Sequence, residues 1–339
     1  MRRSALVLLT VLATTGGAHA QLRVTPTTDA NTLIQALVPT GITVVSSSYS
    51  GGSTTMAGSF MFPLPMVLPS AGLYTGAPLG LASGIILTNG GAQLAEPPNS
   101  YEDITGMLAP ESYDGEPDAL CEKVIDDPYI VVYDPVRLTV DFKVNSGFDG
   151  LQVDYIFGSE EYPEYVGMSY ADAFGLFVGK ASDPELTYTN IGLDLEDRPI
   201  NINGPFFSSG QVETAPTLTQ YDGMTPRLTS AIQLEPGNTV YRMIIVICDA
   251  GDEVLDSGVM LAGLAGCTGD CDGTYVCDDP TDKTCYTGGN PGDPGDPGDP
   301  GDPGTVQPNR PPMARDDEVT TPQGQSVLID VLMNDGDPD

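Results

Sequence analysis

From residue 136 to 144 the chain reads Val-Arg-Leu-Thr-Val-Asp-Phe-Lys-Val, a strict alternation of apolar and polar side chains. Alternation with period two belongs to a β-strand that lays one face on a core and turns the other to water. A turn, Asn145 to Gly150, follows, and Leu151 to Phe157 resumes the alternation. The two runs are predicted to pair as a hairpin. Shorter apolar or β-branched runs bounded by Gly, Pro and Ser stand at 41–48, 59–62, 84–88, 173–178, 200–203, 230–234 and 258–263. Val240 to Cys248 loses the alternation and is apolar through its second half, as a central strand covered on both faces should be. Roughly ten strands at turn-punctuated spacing in about 240 residues predict an all-β fold, a two-layer β-sandwich with a jelly-roll-like arrangement. One short N-terminal helix is expected between Thr28 and Leu37, with Leu33, Ile34 and Leu37 on one face and Thr28 or Asp29 as cap. The stretch 92–127 reads as loop.

The first residues limit both compartment and chemistry. Arg2 and Arg3, an apolar run from Ala5 to Ala13 and the ending Ala18-His19-Ala20 read as a secretory signal peptide over residues 1–20, cut before Gln21. Its apolar run is too short to span a bilayer, and the mature chain has no transmembrane segment of its own. His19 is the only histidine, so a Ser-His-Asp or Cys-His centre and any imidazole-based zinc site are excluded after cleavage. Loss of Arg2 and Arg3 takes the formal charge from −34 to −36. Such a charge repels nucleic acid and anionic lipid, and it favours bound cations. Calcium, a hard ion that takes carboxylate and carbonyl oxygens, suits an exported acidic chain best.

Beyond the sandwich (21–266) the composition changes. Cys267, Cys271, Cys277 and Cys285 crowd a segment (267–288) almost without apolar residues. In an exported chain they read as two disulfides, with three connectivities open and a zinc site as the rival. Cys121 and Cys248 either form a third bridge or leave Cys248 as an inert buried thiol. A linker (289–308) repeats Gly-Asp-Pro four times and reads as an extended polyproline-type spacer. In the last segment (309–339) Asn309-Arg-Pro-Pro and Asn334-Asp335-Gly-Asp337-Pro-Asp339 resemble the opening of a cadherin-like, bacterial-Ig-like tandem repeat.

Two acidic segments carry the functional expectation. One is Ser159-Glu160-Glu161-Tyr162-Pro163-Glu164-Tyr165, continuing to Asp172; the other is Asp249-Ala-Gly251-Asp252-Glu253-Val-Leu-Asp256. They are expected to meet at one edge of the sandwich, where Glu160, Glu161, Asp172, Asp249, Asp252 and Asp256 would share a calcium ion and Gly251 would permit the tight turn of a cation loop. If Ser159 to Tyr162 stays extended, Glu160 and Glu161 face opposite ways and cannot act as a facing acid/base pair, so one of them would turn to the site. Glu160 or Glu161 with Asp172 or Asp252 would still serve a glycosidase, whose carboxyls stand about 5–9.5 Å apart. Tyr162 and Tyr165 read as packing residues rather than sugar-stacking ones.

Taken together, Gly84-Ile-Ile-Leu-Thr-Asn-Gly90, Phe157-Gly-Ser-Glu-Glu161-Tyr-Pro-Glu164, Asp172-Ala-Phe-Gly-Leu-Phe177 and Asp249-x-x-Asp252-x-x-x-Asp256-Ser257-Gly resemble the choice-of-anchor L domain of bacterial exported proteins, over about residues 28–266. Ala171 and Cys248 depart from that pattern. The resemblance implies a secreted module with variable C-terminal attachment and no established catalytic activity. The expected function is non-enzymatic adhesion or display, calcium-stabilised, toward a surface or matrix protein or a glycan. The alternatives are a carbohydrate-binding lectin-like domain and a metal-dependent glycoside or ester hydrolase.

Overall fold

The computed structural model describes residues 21–37, 39–51, 53–56, 66–99, 118–125, 129–170, 172–251 and 255–276. The expectations for the signal peptide, the strand at 59–62, Cys277, Cys285, the Gly-Asp-Pro linker and the terminal repeat lie outside these residues.

In chain order the strands are β1 (Arg23–Pro26), β2 (Ile42–Ser50), β3 (Ser53–Met56), β4 (Met66–Pro69), β5 (Ala71–Thr75), β6 (Ser83–Thr88), β7 (Val132–Val144), β8 (Gly150–Ser159), β9 (Ala173–Lys180), β10 (Thr189–Asn190), β11 (Ile200–Asn201), β12 (Gly223–Met224), β13 (Leu228–Gln233), β14 (Tyr241–Ala250), β15 (Ser257–Cys267) and β16 (Gly273–Val276). The helices are α1 (Ala30–Ala36), α2 (Ala119–Ile125) and α3 (Pro205–Ser208). One sheet runs β1-β5-β6-β15-β8-β13-β16, with β12 added to β8; the other runs β10-β9-β14-β7-β2, with β11 added to β9. Strands β3 and β4 form a separate pair. The two antiparallel sheets face each other across one core, a two-layer sandwich. Val136, Leu138, Val140 and Phe142 of β7 meet Val153, Tyr155 and Phe157 of β8 there, with Ile245 and Ile247 of β14.

Strand β7 keeps the alternation read from its sequence, its odd partners half-exposed. Strand β14 lies between β9 and β7 and is buried over nearly its whole length, as its apolar run predicts. At α1 the Asp29 carboxylate accepts from the Thr32 backbone N–H at 2.7 Å, so Asp29 rather than Thr28 is the cap.

The β7–β8 hairpin is not formed. Strand β7 pairs with β14 and β2, whereas β8 pairs with β15 and β13 in the opposite sheet. The connection at 145–149 is an arch between layers. Its two ends are claimed by different sheets: Asn145 N–H donates to Gly41 O beside β2, and Asp149 N–H donates to Cys267 O at the end of β15. Alternation reports which side chains face the core and is silent on which strand lies alongside. Nor is β8 half-exposed. It is buried at every position, because Ile156 packs outward on Tyr74, Tyr221, Met224 and Met260 in a second core. The polar members of β8 are satisfied inside, where Asp154 takes Arg227 at 2.9 Å and Thr229 at 2.6 Å.

The stretch expected to be loop contains α2. Seven residues are too few to be stable as an isolated helix, and tertiary bonds supply what propensity lacks. Asp118 caps it, accepting from Leu120 N–H and Cys121 N–H at 2.9 and 3.0 Å, and pairs with Arg137. Lys123 donates to the carbonyls of Leu186 and Tyr188. Cys121 is bridged to Cys248 of β14, which settles the choice between bridge and free thiol and fastens α2 over the outer face of the six-stranded sheet. Cys267 pairs with Cys271, four positions on.

Candidate functional site: a buried acid cluster at one end of the sandwich

In an antiparallel sheet the end of one strand lies beside the start of its neighbour, and six strands use this to gather acids. Ser257 at the start of β15 is in register with Ser159 at the end of β8, and Gly258 with Thr88 at the end of β6. In the other sheet Cys248 of β14 is opposite Ala173 at the start of β9, and Asp249 is opposite Tyr133 of β7. The acidic segments therefore meet at an end of the sandwich and not at its edge, since β8, β14 and β15 are interior strands.

Asn89 joins the two layers there. Its side-chain amide donates to Asp172 Oδ2 at 3.0 Å and to Asp249 Oδ1, while its oxygen accepts the Ser257 N–H at 2.7 Å. Asn89 is fully buried, and Asp172 and Asp249 are 1% and 3% exposed. Asp172 Oδ1 also accepts from Ala250 N–H at 3.4 Å, and Thr88 Oγ1 donates to Ser257 O at 2.7 Å. The Asp249 carboxyl is pushed well above the ordinary range. Burial is the first cause; the negative charges of Asp172, Asp134 and Asp256 add to it, and so does a hydrogen bond with Asp172.

The other half of the cluster surrounds Tyr221. Burial raises the Tyr221 hydroxyl, and both Asp256 and Glu160 push it further. Glu160 N–H donates to Asp256 O at 3.1 Å, tying the two acidic segments together through the backbone. Asp256 also reaches the first half, since Asp249 feels its charge. Gly90 is required beside it: a Cβ there would collide with the Asp256 carboxylate. Gly251 has φ +106°, and a Cβ would stand 2.6 Å from Ser169 O, so the turn after β14 needs glycine as the sequence suggests.

The condition for opposed Glu160 and Glu161, an extended Ser159 to Tyr162, is not met. The strand ends at Ser159, the chain turns, and both glutamates are buried, Glu161 N–H bonding to Ser159 Oγ. Tyr162 packs on Phe207 and Tyr165 on Tyr170, in agreement with a packing role. Of the six predicted site residues, Glu160, Glu161, Asp172, Asp249 and Asp256 come to this end of the molecule, and Asp252 lies outside the described residues. Asn89, Asp134 and Tyr221 were not anticipated, although Asn89-Gly90 stands at the end of a run already singled out.

The donors are all oxygen, which suits a hard cation. Among the described residues, however, no three His, Cys, Asp or Glu side chains converge as a formed metal site. Between Asp172 and Asp249 stand the amide hydrogens of Asn89, which a cation would have to displace or share. Burial also leaves that pair no surface on which a substrate could lie. A separate groove of about 1110 Å³ opens nearby, lined among others by Tyr129, Met168, Arg198, Asn201 and Gln211.

A family model described as Choice-of-anchor L domain matches residues 23–265. Comparison with curated proteins returned no match. Among the described residues no helix is long and apolar enough to cross a membrane. The chain belongs to the choice-of-anchor L domain family.

Proposed function

We propose that this member of the choice-of-anchor L family is a non-enzymatic module for adhesion or display at the cell surface, stiffened by calcium at the buried acid cluster. Choice-of-anchor domains occur in exported bacterial proteins and are not known as enzymes. The observation that carries the reading is the Asp172–Asp249 pair under Asn89. Two like charges buried together need a proton or a cation between them, and in neutral calcium-containing surroundings the cation supplies it without the cost of taking up a proton. Glu160, Glu161 and Asp256 would complete its oxygen shell after a local rearrangement, with Asp252 as a further ligand expected from the sequence. The four Gly-Asp-Pro repeats, and a tail whose sequence resembles the opening of a tandem repeat, would suit a stalk that carries such a module outward.

Differential scanning calorimetry at constant ionic strength tests it. At about 10 mM calcium and a Kd of ~10⁻⁴ M, linkage adds about 2.7 kcal/mol to stability, which EDTA removes. A melting temperature indifferent to calcium and to EDTA would retire the cation. One observation favours a second reading, glycan binding: the groove presents Tyr129, 91% exposed, beside polar side chains that can bond hydroxyls. A glycan array on which the wild type and Tyr129→Ala are equally silent would remove it. No observation favours the hydrolase.

A further inference from the structure

From Ala30 through Ala95 not one residue is charged, in a chain with 47 acids and 13 Lys and Arg. That stretch builds α1 and strands β2 to β6, and it puts one of them at a sheet border. Strand β2 is the last strand of the six-stranded sheet and among the described residues pairs only with β7. Border strands present unpaired N–H and C=O groups, and proteins blunt them with short length, charge or proline. The other three borders of the two sandwich sheets are blunted in this way. Strand β10 has two residues, β16 has four, and β1 has four, with Arg23 ion-paired to Glu96 and Pro26 at its end.

Strand β2 has none of these devices. It runs nine residues, Ile-Thr-Val-Val-Ser-Ser-Ser-Tyr-Ser, without charge or proline, broken only by a register shift between Val44 and Ser46. Thr43, Val45, Ser46, Ser48 and Ser50 are exposed, Val45 at 53%. It is also braced from behind, since Ser47 Oγ donates to Asn31 Oδ1 of α1 at 3.0 Å and Val44 and Tyr49 pack on the core. Next to it on β7, Asp141 is neutralised by Arg242 at 2.7 and 3.1 Å and accepts from Ser46 Oγ.

We propose that β2 is an interface between two copies of this chain, which pair antiparallel, β2 against β2, and join two six-stranded sheets into one. The charge distribution selects a second copy as occupant. Two copies of a chain of formal charge −34 repel one another, and a border strand without charged residues is where that repulsion is least and backbone bonds are available. Antiparallel pairing about a two-fold axis uses the same strand on both sides and closes at two copies.

Sedimentation velocity on the full chain, over a concentration series at about 0.1 and 0.5 M salt, tests this. The expected result is a monomer–dimer equilibrium that shifts toward dimer with salt, as the mutual repulsion is screened. Val45→Lys combined with Ser48→Lys should remain monomeric throughout while keeping the wild-type melting curve. Thr189→Lys, on the β10 border, should dimerise as the wild type does. A wild type that is monomeric at every concentration and salt overturns the proposal. So does a dimer that the double lysine variant preserves, or an assembly that grows beyond two copies.

Discussion

Asn89 is a single side chain on which both sheets depend, and its replacement tests the cluster most directly. Asn89→Ala leaves the Ser257 N–H and two carboxylates without their bond, at about 1–3 kcal/mol for each buried group so exposed. Urea unfolding should register the sum as a lower midpoint. Asp249 acts in the other direction. Its pKa is raised in the fold, so the fold favours the protonated form; that stability is complete below the ordinary carboxylate pKa and is lost as pH rises through the folded value. Without calcium, the melting temperature should therefore rise as neutral solution is made mildly acid. Asp249→Asn should flatten this limb and abolish the calcium increment. Asp141 carries the opposite sign: the bond from Arg242 lowers its pKa, and its contribution is lost as pH falls through that lowered value. Strong acid should thus destabilise both the wild type and the Asp249 variant. The buried Arg227–Asp154 pair has no such symmetry. Arg227→Ala strands a carboxyl already raised by burial, and should cost ~3–5 kcal/mol in chemical denaturation.

At the scale of elements, α2 is held largely by partners remote in the chain. Its bridge to β14 spans 127 positions, and Cys121→Ser with Cys248→Ser should cost ~2–5 kcal/mol, seen as a lower denaturant midpoint, as reduction of the wild type should mimic. The same helix marks where the sequence stops being readable. Strands β7 and β14 and the Asp29 cap could be read because period, apolar run and capping residue are properties of adjacent positions. Helix α2 could not, because its stability comes from Cys248, Arg137 and the carbonyls at 186 and 188, all remote in the chain. The partner of β7 was hidden for a like reason, since pairing is decided between strands and not within one. At the site, the acids declared themselves by crowding. Asn89 did not, because a lone amide after a strand has the look of any turn residue until its two carboxylates are brought to it from 83 and 160 positions away.

For the whole molecule, acidity and architecture pull against each other. A chain of formal charge −34 repels itself, and the repulsion weakens as the Debye length falls from ~30 Å at 0.01 M to ~10 Å at 0.1 M salt. Sodium chloride over that range should raise the melting temperature smoothly, and calcium at matched ionic strength should add a saturable step above it. Absence of the step with the smooth rise intact would leave acidity as a solvation device alone. Strand β15, the last long strand among the described residues, lies in the middle of the eight-stranded sheet, hydrogen-bonded to β6 on one side and β8 on the other. A polypeptide that emerges N-terminus first, from a ribosome or through a translocation pore, therefore holds two half-sheets with no seam between them until position 267 has come through. Such a chain stays threadable until β15 arrives, and the insertion of that strand locks the sheet.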